Sequence, residues 1–223
     1  MAVIFDMDGV LVDSELHWKR VEGSFLEELL PQWTDDDQLK IIGMSIHDVH
    51  ALLTRDWGLT LSHADFISHY ESLALKLYGR ETALLPGALE LARALSESGV
   101  KLGICSSSPR SWIEIVWVRF ELAQIFSFYV SADDVGGIGK PNPACYRLAV
   151  ERAGTGAGSC VAIEDTDKGV AAARGAGIFT VGLRNGFNNS QHFTEANYVA
   201  AGFEDTLKKI ILERFTKKRT SLA

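Results

Sequence analysis

Cysteine is scarce and irregularly placed in this chain: Cys105, Cys145 and Cys160 are its only three in 223 residues. An odd number with no short spacing excludes a disulfide framework and a cysteine zinc site, so they read as small buried hydrophobes. Positive charge is also thin. The net charge is −7, and no basic cluster occurs before Lys217-Lys218-Arg219, which reads as a solvated end. A nucleic-acid surface is therefore not expected. Long apolar runs are missing as well: the richest stretch, 112–130, is broken by Glu114, Arg119 and Glu121, so no membrane partner is expected. The first residues enter a strand pattern with no basic segment leading into a long apolar one; no signal peptide is expected, and the cytoplasm is the expected location.

What is present is an ordinary globular composition, 47% hydrophobic and 23% charged, at a length that fits one large domain or a domain carrying a smaller one. The informative stretch is Met1 to Glu15. Val3, Ile4 and Phe5 run without a polar break into Asp6, which reads as a buried strand ending on a carboxylate. Asp8 and Gly9 follow. If the backbone stays extended, the two carboxylates leave the same side roughly 6.5 Å apart. Buried acids at a strand end need a cation or hydrogen bonds, and a divalent metal is the simplest compensation. A calcium loop also opens with spaced aspartates, but it wants Gly at its sixth position and Glu at its twelfth, where this chain has Leu11 and His17.

From Ser14 to about Leu84 the periodicity is helical. Trp18, Val21, Phe25, Leu29 and Leu30 mark one helix, opened by Ser14 as an incomplete capping box. Asp35-Asp36-Asp37 start a second, Gly43-Met44-Ser45 breaks the pattern, Val49, Leu52 and Leu53 resume it, and a last helix runs from His63 to Tyr78. His47 and His50 are three apart, not the four of a zinc-protease helix. After Pro86-Gly87, helix and strand alternate: strands at 101–105, 128–131, 161–163, 179–183 and 198–200, helices at 88–98, 111–120, 143–153, 168–176 and 203–215. That alternation implies an α/β fold, a parallel sheet with helices on both faces. The helical block, 14–84, interrupts a Rossmann-like core made of 1–13 and 85–223. It would overhang the carboxyl ends of the strands, where open α/β sheets bind ligands, and act as a lid. Gly154–Gly158 precedes a strand and Gly136–Lys140 lacks the leading glycine of a phosphate loop, so neither reads as a nucleotide site.

Three more strand ends carry polar groups: Ser106, Ser107 and Ser108 after the second strand, Lys140 after the third, Glu164 and Asp165 after the fourth. Hydroxyls and N–H groups at a helix start hold anions well. Each alone has a bland explanation as a cap, a solvated lysine or an acidic turn. Together, two acids, a hydroxyl nest, a lysine and two further acids at successive strand ends suit a metal and a phosphate.

In that order, Asp6-Met7-Asp8-Gly9-Val10, Ser106, Gly139-Lys140-Pro141 and Glu164-Asp165 resemble the four motifs of the haloacid dehalogenase superfamily, in its β-phosphoglucomutase-like and sugar-phosphatase subgroup. The resemblance covers essentially the whole chain and implies a Rossmann-like core with an inserted all-helical cap. It implies Asp6 as nucleophile forming an aspartyl-phosphate, and Asp8 as the acid that protonates the leaving alcohol and then activates water. It implies magnesium held by Asp6, the Asp8 main-chain carbonyl and Asp165, with Glu164 binding directly or through water, while Ser106, its neighbour Ser107 and Lys140 hold the phosphoryl group. Glu15, Trp18 and the Gly43 loop are expected to face the substrate by adjacency and analogy. The expected activity is magnesium-dependent hydrolysis of a small phosphorylated metabolite, a sugar or polyol phosphate, by a monomer. The alternative is a sugar phosphomutase. Mutases of the subgroup carry a histidine and an arginine in the cap, and ungapped alignment puts Trp18 and Ile46 there. A local shift would instead bring in His17 or His47. A dehalogenase is disfavoured by Asp8, which has no role where no alcohol leaves.

Overall fold

Val3, Ile4 and Phe5 have no solvent exposure, and the strand they form lies inside the sheet with a partner on each side. The computed structural model describes residues 1–220, with side chains to Phe215; the side chains of Lys217-Lys218-Arg219, read above as a solvated end, lie outside the described residues. The strands are β1 (Ala2–Phe5), β2 (Lys101–Cys105), β3 (Phe128–Val130), β4 (Cys160–Glu164), β5 (Phe179–Leu183) and β6 (Tyr198–Ala200), in the order β3-β2-β1-β4-β5-β6. Every pairing is parallel, with Phe5 opposite both Ile104 and Ile163. Their carboxyl ends are thereby level. Polar residues that follow different strands in the sequence are brought to one edge.

The helices are α1 (Ser14–Leu29), α2 (Asp35–Ile41), α3 (Ile46–Trp57), α4 (His63–Lys76), α5 (Ala88–Glu97), α6 (Arg110–Arg119), α7 (Ala144–Ala153), α8 (Asp167–Gly175) and α9 (Asp205–Thr220). Successive side chains on a strand point to opposite faces. Ala2 and Ile4 accordingly pack in one cluster with Tyr146 and Ala149 of α7 and Ala172 of α8. Val3 and Phe5 pack in another with Leu91 and Leu95 of α5 and Leu207 and Ile211 of α9. The sheet is thus covered on both faces.

Helices α1 to α4 lie between β1 and α5 in the chain. The segment leaves and returns through adjacent strands of backbone: Leu85 N donates to Leu11 O (2.9 Å), Asp13 N to Ala83 O (3.0 Å), and Ala83 N to the Asp13 carboxylate (2.7 Å). Two local details, at α1 and α4, differ from the sequence expectation, while α2 starts at Asp35 as expected. Asp13, not Ser14, is the N-cap of α1, and it makes no side-chain cap bond; the Ser14 hydroxyl is buried and used elsewhere. Helix α2 is capped by Thr34, whose hydroxyl and the Asp37 carboxylate form a reciprocal box. Helix α4 stops at Lys76 and Tyr78 sits in a π-helical turn, Leu77–Glu81, whose extra residue per turn redirects the side chains that follow.

Candidate active site

Lys140 reaches back beneath the ends of β1 and β4. Its Nζ hydrogen-bonds Asp6 Oδ1 (2.6 Å) and the Cys105 carbonyl (3.0 Å) and lies 2.6 Å from Glu164 Oε1 as an ion pair. Asp6, Glu164 and Asp165 each offer an oxygen within 4.8 Å of the others'. All are buried, Glu164 completely. Burial first, and then the neighbouring Glu164 charge, raise the Asp6 carboxyl well above the usual range against the pull of Lys140. Asp165 is raised for the same first reason, followed by the charges of Glu15 and Asp6. Burial opposes charge on Lys140, but Asp6 and Glu164 outweigh it and hold the ammonium on.

Three carboxylates therefore face one ammonium ion. Glu164 Oε1 also accepts from the Tyr146 hydroxyl, whereas Glu164 Oε2 is a buried oxygen with no hydrogen-bond partner among the described residues. An all-oxygen donor set with excess negative charge and an orphaned oxygen fits a hard divalent cation such as magnesium. Close packing builds this cradle. Gly9 sits at φ +70°, and a Cβ there would lie 2.0 Å from Asp165 Oδ2; a Cβ on Gly169 of α8 would lie 1.9 Å from Glu164 Oε2.

The backbone does not stay extended after Asp6. Asp6 N still donates to Ile163 O (3.0 Å), continuing the sheet, but the Met7 carbonyl then accepts from Leu11 N (2.8 Å) and Val12 N (3.1 Å), closing a tight loop. Asp8 consequently leaves the group of three acids and enters a ring of hydroxyls. Its Oδ1 accepts from Ser14 (2.6 Å) and Tyr78 (2.6 Å), its Oδ2 from Ser108 (2.9 Å) and Ser106 (3.3 Å). Trp18 Nε1 donates to the Tyr78 oxygen (2.9 Å), so Trp18, Tyr78 and Asp8 form a chain. The Ser106 N–H is spent on the Val130 carbonyl and the Ser107 hydroxyl accepts from Lys140 N (3.1 Å), so Ser106–Ser108 precede α6 as a hydrogen-bonded loop.

A cavity of about 210 Å³ opens over this edge. Asp6, Asp8, Ser106, Ser107, Lys140 and Asp165 form its base, with Glu164 behind them. Glu15, Trp18, Glu22, Gln38, Gly43 and Asn185 stand on its walls, and half-exposed Leu16, Leu39 and Phe187 rim the mouth. Burial, then Asp8 and Glu22, push the Glu15 carboxyl up to about 8. Burial pushes Glu22 up to about 7 despite hydrogen bonds from Tyr70 and Gln38.

The expected residues thus lie at one cavity, Glu164 at second remove, and the Asp8 side chain outside the three-acid group. Sequence reasoning placed Ser108 in the hydroxyl nest but missed Tyr78, Ser14, Tyr146, Glu22, Gln38 and Asn185 as site residues. Asn185, which donates to Asp165 Oδ2 (3.0 Å) and the Gly9 carbonyl (2.9 Å), follows β5, so extending the strand-end rule to a fifth strand finds it. The two histidines of the shifted alignment do not line the cavity: His17 lies against Asp13 and Glu81, His47 against His63 and Asp133.

Residues 3–183 match the family model described as haloacid dehalogenase-like hydrolase. The chain is 31% identical over 179 residues to hexitol phosphatase B of Escherichia coli K12, which spans 79% of this chain and 80% of that protein. It is 27% identical to a phosphorylated carbohydrates phosphatase of Thermotoga maritima, over 95% of this chain and 98% of that one. Among solved structures, CbbY from Rhodobacter sphaeroides, crystallised with phosphate, superposes with a TM-score of 0.76 at 24% identity, covering 92% of this chain and 95% of its own.

Proposed function

The chain belongs to the haloacid dehalogenase-like hydrolase family, and from that membership we propose that it is a magnesium-dependent phosphatase acting through phosphorylated Asp6 on a small sugar or polyol phosphate. The observation that carries this reading is the pairing at one cavity of a buried three-carboxylate cluster with a separate carboxylate, Asp8, gripped by four hydroxyls. The similarity to phosphatases of phosphorylated carbohydrates supports the substrate class.

Asp6 uses one carboxylate oxygen to attack phosphorus, forming a P–O bond as the ester bond to the leaving alcohol breaks. Asp8 gives that alcohol its proton. In the second half, Asp8 takes a proton from water as the water oxygen attacks the same phosphorus, releasing inorganic phosphate and the Asp6 carboxylate. The hydroxyls around Asp8 fix its orientation for both transfers. Lys140 offsets negative charge on Asp6 and on the transferring group, and Ser106 and Ser107 bind phosphoryl oxygens. Magnesium bound by Asp6, Glu164, Asp165 and the Asp8 main-chain carbonyl would supply the remaining positive charge on the phosphoryl oxygens.

In this reading 1–13 and 85–223 are the catalytic core and 14–84 the cap, hinged where 11–13 and 83–85 pair, with Glu15, Trp18 and Gly43 facing the substrate. The protein is taken as a cytoplasmic monomer, since one chain completes the cavity and its cysteines are buried. Hydrolysis is favoured over isomerisation because Trp18, at the mutase histidine position, spends its N–H on Tyr78, and Ile46, at the arginine position, is an uncharged buried side chain. The covalent step is tested by acid quench during the first turnover with magnesium and a sugar phosphate. Phosphate on the peptide containing Asp6 is expected; unphosphorylated protein in a reaction that is turning over would rule out the covalent route.

A further inference from the structure

The wall of the cavity formed by the first helical segment carries two carboxyl groups, Glu15 and Glu22, and the second is held in a fixed orientation. Glu22 of α1 lines the cavity, and both its oxygens are already engaged: Tyr70 of α4 donates to Oε1 (2.7 Å) and the Gln38 amide of α2 donates to Oε2. The amide has no freedom to turn round. Trp33 Nε1, which can only donate, donates to Gln38 Oε1 at 3.1 Å, so the Gln38 NH₂ must face Glu22. Trp33 and Gln38 are both buried. Three helices thus converge to orient one carboxylate that has no cationic partner among the described residues. An ionised carboxylate offers about four acceptor sites, so about two remain for a ligand.

Charge on the rest of the cavity makes the same point. The basic residues among its described lining are Lys140, whose charge is already shared by Asp6 and Glu164, and the exposed Lys19. Lys168, nearby on α8, is spent on the Lys40 and Ile42 carbonyls. Glu15 adds a second carboxyl to the wall. Once Glu22 is ionised, above about pH 7, such a surface favours neutral hydrogen-bond donors and repels anions.

Resting on the phosphatase reading above, we infer that Glu22 is a specificity-determining residue: it accepts hydrogen bonds from the hydroxyls of the leaving alcohol and excludes esters whose tail carries a second anionic group. The enzyme therefore takes neutral polyhydroxy monophosphates. Bisphosphates and phosphorylated carboxylic acids are poor substrates.

The test compares kcat/KM at pH 8, where Glu22 is ionised, with magnesium, for sorbitol 6-phosphate, fructose 1,6-bisphosphate and p-nitrophenyl phosphate, in the parent enzyme and in Glu22→Gln. In the parent, sorbitol 6-phosphate should exceed the bisphosphate by about a hundredfold, the scale of an uncompensated like-charge contact. The Gln amide keeps the shape but replaces an acceptor with donors. The ratio should fall about tenfold or more, with the loss on sorbitol 6-phosphate in KM rather than kcat. Equal kcat/KM for the two sugar esters in the parent, which needs no variant to fold, overturns the inference; so does a ratio unchanged in folded Glu22→Gln. If p-nitrophenyl phosphate is hydrolysed in either case, the phosphatase reading survives. Absence of phosphate release from all three overturns both.

Discussion

Tyr78→Phe deletes one hydroxyl that serves two hydrogen bonds, donating to Asp8 and accepting from Trp18. Shape is kept and the Asp8 carboxylate loses a clamp, so kcat should fall about tenfold with little change in KM, the scale of one hydrogen bond lost in the transition state. An unchanged kcat would remove Tyr78 from the account. Glu22 supplies a pH signature. Its carboxyl titrates near 4.5 when unfolded and about 7 when folded, so between these values the folded state holds a proton the unfolded state has lost. Stability from this group is complete below pH 4.5 and is lost as pH rises through about 7. Relative to Glu22→Gln, the melting temperature of the parent should therefore drop by several degrees from pH 5 to pH 8, and parallel curves for the two proteins would refute the assignment. Residues of this second kind were not legible in the sequence. Asp6, Glu164 and Asp165 announce themselves because each is an acid ending an apolar run, whereas Glu22 sits among Arg20, Val21, Gly23 and Ser24 on a half-polar helix. Its meaning depends on Tyr70 and Gln38, 48 and 16 residues away.

Among the elements, strands and helices of the α/β part follow the hydrophobic pattern within a residue or two, except that α9 runs to Thr220 and not to Phe215, because burial on both faces leaves the central strands nearly continuous apolar runs. The pattern fails where geometry inside an element changes. A helix from His63 to Tyr78 is the natural reading of the periodicity; the π turn after Lys76 has no periodic signature, and it is held by Arg119 of α6 donating to the Tyr78 carbonyl (2.7 Å) and the Thr82 hydroxyl (3.0 Å). The loop after β1 fails for a similar reason: Asp-x-Asp read as extended is compatible with alternation, and only the Met7 carbonyl contacts show the turn. Contact between the helical segment and the sheet is testable at Lys168. Its ammonium, lowered to about 8 by burial, donates to the carbonyls at the end of α2, Ile42 O at 2.9 Å and Lys40 O. A cation there also complements the helix terminus. Lys168→Met should raise hydrogen exchange across residues 35–44 while leaving the strands protected. Equal exchange in both proteins would show that the contact does not hold α2.

For the molecule as a whole, composition settles little beyond a globular chain of net charge −7. The order of the sheet is what turns scattered motifs into a site, since β1 lies between β2 and β4 and brings residues 6, 106, 140 and 164 to one edge. Among the described residues no helix is long and apolar enough to cross a membrane. If the three-acid cluster holds magnesium as proposed, magnesium at about a hundred times its Kd should add about 2.7 kcal/mol to global stability, and EDTA should lower the melting temperature correspondingly. A melting temperature indifferent to magnesium would contradict the metal assignment. The most direct measurement follows free phosphate and the isomeric sugar phosphate together, in one reaction of glucose 6-phosphate with magnesium, for the parent and for Asp6→Asn. The parent should yield phosphate without isomer, and Asp6→Asn should yield no product. Isomer outpacing phosphate, or an Asp6→Asn rate within about tenfold of the parent's, a difference of only about 1.4 kcal/mol in barrier, would contradict the covalent phosphatase reading.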